Sequence, residues 1–199
     1  ELKPDVVILA NGGSYTTPEI KGINNNKVVS SKDIYSRVRS YLRFFSINFL
    51  RRLTNFYLPM GKTIVIIGGG IQGCQLAEFL GKCGRKVTIA ESTDALASEM
   101  VSTTRKYLLR WLRLKGVTMF TDVKFEEITD KGLTITTKDG KRQTIEADNI
   151  IPALPLKPNN ELFQALKDKV PEIYQTGDYK KPHLIIDAIA DGALIGRKI

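Results

Sequence analysis

Six residues, Gly68-Gly69-Gly70-Ile71-Gln72-Gly73, separate an apolar run, Lys62 to Ile67 (KTIVII), from a segment with helical spacing that reaches about Lys82. A short β-branched run bounded by turn residues is the mark of a strand buried on both faces of a parallel sheet. At such a strand-to-helix junction each glycine has its own task. Gly68 permits the tight turn out of the strand, Gly70 leaves the backbone bare for close approach, and Gly73 lets the helix settle on the sheet. The N–H groups of the first helical turn lack intrahelical acceptors, and with the positive helix end they form a seat for phosphate. Lys86 to Ala90 is the next strand, and Glu91 ends it about 20 residues beyond the glycines, where a carboxylate accepts hydrogen bonds from a ribose diol. The pattern predicts a βαβ dinucleotide-binding unit with Gly68, Gly69, Gly70, Ile71, Gln72, Gly73 and Glu91 at the cofactor.

The residues after Glu91 choose between dinucleotides. A 2′-phosphate would be repelled by Glu91 and would want a basic residue just beyond it, whereas Ser92, Thr93, Asp94 and Ala95 are uncharged or acidic. NADH is therefore expected over NADPH. A βαβ unit with an acid ending its second strand also serves S-adenosylmethionine. Three short alternating segments, Lys124 to Ile128, Leu133 to Thr137 and Gln143 to Ala147, argue against that reading. They are joined by Asp130-Lys131-Gly132 and Lys138-Asp139-Gly140-Lys141, which makes an antiparallel meander foreign to a plain methyltransferase sheet.

The remaining chain is ordinary globular sequence: 199 residues, 42% of them apolar, which excludes intrinsic disorder. Two cysteines, Cys74 and Cys83, cannot make a disulfide framework and are read as small helix-packing residues. Glu1 to Asp5 is polar and has no leader pattern, so the expected compartment is the cytoplasm. The formal charge of +9 is local. Lys32, Arg37, Arg39, Arg43, Arg51, Arg52 and Lys62 face a single acid, Asp33, and the rest is close to balanced. Residues 32–58 also carry an apolar stripe at steps of three and four, the pattern of a basic amphipathic helix. Packing on another domain is its plainest use. Attachment to an anionic membrane surface is less expected, and nucleic-acid binding has no motif to support it.

Other elements follow from pattern. Val6 to Ala10 is a buried strand ending in Asn11-Gly12-Gly13; Val101 to Lys115 is an amphipathic helix with Tyr107, Leu108, Trp111 and Leu114 on one side and Trp111 in the core. Val117 to Phe120 and Asn149 to Ile151 are strands, Glu161 to Lys167 is a short helix, and Ile173 to Gln175 leads into Thr176-Gly177-Asp178. A last helix runs from His183 to about Lys198.

With GGGIQG, the meander, IIPALPLKPNNELFQAL and TGDYKKPHLIIDAIADGALIGRKI, the chain resembles the C-terminal portion of the NADH:flavin oxidoreductases allied to old yellow enzyme. That group includes 2,4-dienoyl-CoA reductase, 2-enoate reductase and trimethylamine dehydrogenase. The likeness covers Asp5 to Asn26 and Lys62 to Ile199. It implies an α/β architecture in which a Rossmann-like NADH domain with a meander crossover, residues 62–153, is inserted in a partial FAD domain, residues 1–31 and 154–199, with 32–61 as a helical insert. It further implies that Ala10 and Gly12, in an Ala-Asn-Gly where the family has Ala-Thr-Gly, and Gly177 and Asp178 contact the flavin nucleotide, and that the last helix points its N-terminus there. The parent enzyme would also carry an FMN domain and an iron–sulfur cluster outside this chain, whose missing flavin domains would be its partners. Gln75, Pro155 and Tyr179 depart from the family pattern of Glu, Gly and Cys.

His183, the only histidine, reads as a capping residue at a helix start, and Lys157 as a loop charge. No nucleophile–base set and no metal-ligand spacing occurs, so no catalytic side chain and no metal is expected. That suits hydride transfer, in which cofactors carry the chemistry. The rival from another class is a non-catalytic nucleotide-binding or subunit-interaction module.

Overall fold

The computed structural model describes residues 3–30 and 60–199. The expected basic helix at 32–58 lies outside the described residues. The chain divides into two compact units, Thr17–Leu154 and a second made of residues 1–16 with Pro155–Ile199.

The larger unit is built on a four-stranded parallel sheet. β2 (Thr63–Ile67) pairs with β3 (Lys86–Ala90) on one side and β8 (Asn149–Pro152) on the other, and β4 (Thr118–Phe120) adds beyond β3. Helix α1 (Ile71–Lys82) makes the crossover from β2 to β3, and α2 (Ser102–Leu114) that from β3 to β4. After Thr63 the strand is apolar at every position, Ile64 to Ile67, because both faces are covered. Ile64 and Ile66 pack with Ala77, Leu80, Leu108 and Leu112 of the helices, while Val65 and Ile67 pack with Leu133 and Ile135 of the meander. Ile64 through Ile67 are fully buried, each contributing about 1.5–3 kcal/mol of apolar transfer energy. The meander is antiparallel, β5 (Lys124–Thr129), β6 (Gly132–Thr136) and β7 (Arg142–Glu146) in that order, with a register shift between Phe125 and Glu127. A Rossmann-like parallel sheet with an antiparallel meander crossover is the fold class expected from the sequence.

Residues 17–30, assigned by the sequence reading to the first FAD segment, pack in this larger unit. Ile20 is buried with the meander, the Ile128 N–H donates to Lys21 O at 2.8 Å, and the Val29 N–H donates to Ile150 O at 2.9 Å. The stretch thereby hydrogen-bonds to the edge of the sheet beside β8.

In the smaller unit, β1 (Val6–Leu9) pairs in parallel with β9 (Glu172–Gln175) as a two-stranded sheet. Of β1 only Leu9 is buried and Ile8 is half exposed, so the fully buried strand suggested by its sequence is not what this unit makes. The reason is topological: among the described residues β1 has one strand neighbour, β9, and a strand in so small a sheet keeps one face in water. Helix α3 (Glu161–Leu166), a 3-10 turn (Gly177–Tyr179) and α4 (Ile185–Gly196) complete it. Tyr179 is fully buried, and its hydroxyl accepts the Phe163 N–H at 2.8 Å, tying the 3-10 turn to α3.

On α2 the buried positions are Leu108 and Leu112, while Tyr107 and Leu114 are largely exposed, which corrects the stripe expected from the sequence. Trp111 is not core. It is half buried, with the Lys82 and Lys115 ammonium groups 5.3 and 5.9 Å from its ring centroid. A bulky ring at the border of the helix stripe is held there by its cation neighbours as well as by apolar contact.

Candidate functional site

The glycine turn stands at the carboxyl end of β2, where parallel sheets hold their ligands. Gly68 has φ +105°, a conformation closed to side-chain-bearing residues, and a Cβ there would lie 2.6 Å from Ala153 O. At Gly73 a Cβ would fall 2.0 Å from Gly68 O, so the close helix–sheet approach depends on its absence. Gly69 is bare for another reason: the space of its Cβ is filled by Leu96 Cδ2, 2.1 Å from the position that atom would take. Gly70 is the N-cap of α1 and offers no side-chain cap, and the Cys74 N–H makes the bond to Gly70 O at 3.0 Å. Helix geometry leaves the N–H groups of Ile71, Gln72 and Gly73 without intrahelical acceptors. Donors on bare backbone at a positive helix end match a diphosphate, so the residues present fit a dinucleotide.

Glu91 is half buried beside this turn. Its Oε2 accepts the Gly69 N–H at 2.6 Å, while Oε1 accepts the Thr93 N–H at 2.8 Å and the Ser92 hydroxyl at 3.1 Å. Burial pulls this carboxyl upward, but the hydrogen bonds from Gly69, Thr93 and Ser92 outweigh it and hold its pKa below the usual carboxylate value. It is charged at neutral pH and keeps lone-pair capacity on Oε2 for a ribose hydroxyl.

The loop after β3 closes over the turn. The Ala97 N–H donates to Gly69 O at 2.7 Å, with Ala97 at φ +46°, and Arg105 Nε on α2 donates to Leu96 O at 2.7 Å. Sequence reasoning missed Leu96, Ala97 and Arg105; the signal available was the apolar run Ala95-Leu96-Ala97 in the loop after Glu91. Below the turn, Cys74 is buried and free, its thiol reaching Gly69 O at 3.2 Å, and burial above all pushes its pKa up to about 11. Cys83 is likewise buried and outside any disulfide, as packing residues should be.

The smaller unit brings the other expected residues together at the carboxyl ends of β1 and β9. The Thr176 N–H donates to Leu9 O at 3.0 Å, placing the Thr176-Gly177-Asp178 turn beside Ala10-Asn11-Gly12-Gly13. Gly12 and Gly177 have φ +77° and +59°, and a Cβ on Gly13 would stand 3.3 Å from Asp178 O. Asp178 Oδ1 accepts the His183 N–H at 3.4 Å, and its other oxygen is open to a hydroxyl. These loops suit one part of a nucleotide, and the two-stranded sheet offers no glycine-rich cradle of its own. His183 is exposed; its Nδ1 meets Asp187 Oδ2 at 2.5 Å, and Asp187 also accepts the Leu184 N–H at 3.1 Å at the start of α4. The cap is thus Asp187, and the bond from His183 holds its carboxyl below the usual range. Lys157 is exposed, joined to Ser14 only through backbone bonds of 2.7 and 2.8 Å.

No group of three or more His, Cys, Asp or Glu among the described residues could hold a metal ion. Among them, too, no helix is long and apolar enough to cross a membrane.

A parallel sheet, a glycine turn into a helix and an acid ending the next strand define a dinucleotide-binding protein of Rossmann type. The chain belongs to the pyridine nucleotide-disulphide oxidoreductase family, whose model matches residues 1–192. It is 30% identical over 201 residues to an NADH oxidase of Thermoanaerobacter brockii, covering 100% of this chain and 28% of that protein. A cinnamate reductase of Clostridium sporogenes is 24% identical over 202 residues and is covered over 27% of its length. Among solved structures, a 2-naphthoyl-CoA reductase complex superimposes with a TM-score of 0.83 at 30% identity, over 98% of this chain and 27% of that one. The chain thus spans little more than a quarter of the length of each of these three relatives. Family membership implies that it binds FAD and NAD(H).

Proposed function

We propose that this chain is the NADH-binding region, with part of the FAD-binding region, of an NADH:flavin oxidoreductase allied to old yellow enzyme. The observation that carries the reading is the Gly68–Gly73 turn, which presents bare helix-terminal N–H groups next to a charged Glu91. The similarity to an NADH oxidase and to two reductases of unsaturated or aromatic acids, one as its CoA ester, supports it.

Bound together, the two cofactors supply hydride transfer from nicotinamide C4 to flavin N5. The chain's contribution is position and field. Ile71, Gln72 and Gly73 offer N–H donors to the diphosphate, and Glu91 orients the adenosine ribose while repelling a 2′-phosphate. Arg105 is committed to the Leu96 carbonyl rather than to a phosphate. Ala10, Gly12, Gly177 and Asp178 hold one part of the FAD. Residues 62–153, with 17–30 packed beside them, form the NADH domain, and the segments 1–16 and 155–199 belong to the FAD domain. Ile185, Ile186, Ile189 and Leu194 of α4, each more than 60% exposed, favour cover from further flavin-domain residues of the parent protein. Onward electron transfer would reach an FMN site of enoate-reductase type, and an iron–sulfur cluster, outside this chain.

Anaerobic mixing of the full-length protein with NADH tests the proposal. Bleaching of the flavin absorbance by NADH, and far more slowly by NADPH, is the expected result. Binding of NADH with no bleaching would favour the non-catalytic module.

A further inference from the structure

Gly70 faces a carboxylate. A Cβ placed on this glycine would meet Glu99 Oε1 at 3.2 Å and Oε2 at 4.0 Å. That is the space which the second glycine of such a turn leaves clear for a diphosphate. Glu99 is carried there by an anchored loop, since Leu96 fills the Gly69 notch, Ala97 is bonded to Gly69 O and Arg105 to Leu96 O. The carboxylate itself is exposed, and among the described residues no donor or cation engages it in a hydrogen bond or ion pair. Its charge is felt inside the fold: after burial, Glu99 and then Glu91 add to the rise of the Cys74 thiol.

We propose that Glu99 is a tethered anion standing in for the diphosphate at the α1 N-terminus, and that it swings out when the dinucleotide binds. The inference rests on the dinucleotide reading above and adds a residue that limits affinity. A carboxylate near a helix N-terminus gains from the exposed N–H groups and the dipole. An incoming diphosphate needs the space over Gly70 that the carboxylate fills and repels its charge, so displacing Glu99 subtracts from the affinity. The tether is short, only two residues beyond Ala97, so the loop keeps the carboxylate at high local concentration near the turn.

The test is calorimetric titration of the full-length protein and its E99Q variant with ADP-ribose, which cannot reduce flavin, and with adenosine, which lacks phosphate. E99Q should bind ADP-ribose about three- to tenfold more tightly, in line with the range of helix-terminus charge effects. The gain should shrink at high salt, and adenosine should bind both forms alike. E99S carries the same expectation, so a folding defect in one variant does not decide the matter. Unchanged or weaker binding of ADP-ribose by variants of a binding-competent protein would overturn the role of Glu99 and leave the dinucleotide site standing. An equal gain for adenosine would overturn it too, since the diphosphate would not be involved. Failure of every form to bind ADP-ribose would overturn both readings.

Discussion

The Gly69 amide donates a 2.6 Å hydrogen bond to Glu91 Oε2, so the acid expected to hold a ribose is first a brace for the glycine turn itself. E91Q keeps the shape but can present its NH2 group to the Gly69 amide and loses the charge that three donors share. The folded protein should lose about 1 kcal/mol and bind NADH more weakly, by roughly tenfold. The pH dependence has a definite sign. A carboxyl whose folded pKa lies below its unfolded value adds stability above the unfolded pKa, and that stability is lost as pH falls through the folded value. The wild type should therefore lose this increment on acidification below the ordinary carboxylate range, and E91Q should not. Denaturant melts of both proteins across that interval check it.

Replacing Gly68 with Ala should be more damaging than either effect. The residue must keep φ +105° while its new methyl lies 2.6 Å from the Ala153 carbonyl, a backbone atom with little room to yield. Left-handed strain alone costs about 1–2 kcal/mol, and the contact adds to it. A fall in Tm of about 4–10 °C, together with loss of NADH affinity, is expected from thermal melts and titration.

Much of this was legible in the sequence because it is local. The turn glycines, the strand before them and the acid after the next strand lie within one βαβ unit, where spacing alone fixes geometry. The meander was legible too, since period-two alternation with Asp-Lys-Gly and Asp-Gly turns has few other outcomes. What failed was information held elsewhere in the chain. Tyr107 and Leu114 share a helical face with Leu108 and Trp111, but only contact with α1 and the sheet decides which of them is covered. The docking of residues 17–30 beside β8 and the meander is set by Ile150 and Ile128, over a hundred positions away, and no periodicity announces it. The closing of Leu96 over Gly69 is of the same kind.

Cys74 and Cys83 should be inert in the folded protein. Both are buried, and the Cys74 thiol, raised to about 11, stays protonated at neutral and mildly alkaline pH. Iodoacetamide at pH 8 should leave both unlabelled, and urea should expose both to alkylation, as mass spectrometry would report. Rapid labelling of Cys74 in native protein would contradict the packing role.

Arg105 offers the clearest separation of loop order from fold. Its Nε bond to Leu96 O is, among the described residues, the one side-chain hydrogen bond between α2 and the loop that covers Gly69, and it is part-buried at the edge of the core that Leu96 shares with Leu108 and Leu112. R105A should therefore cost about 1 kcal/mol of global stability at most. The effect should concentrate on the Ala97 amide, whose bond to Gly69 O depends on the loop staying closed. Hydrogen exchange should speed up there and remain slow in β2 and β3. R105K restores the charge, but its ammonium group is a point donor without the fixed Nε–H geometry, so it should recover only part of the protection. Equal protection at Ala97 in wild type, R105A and R105K would mean that Leu96 packing alone keeps the loop shut.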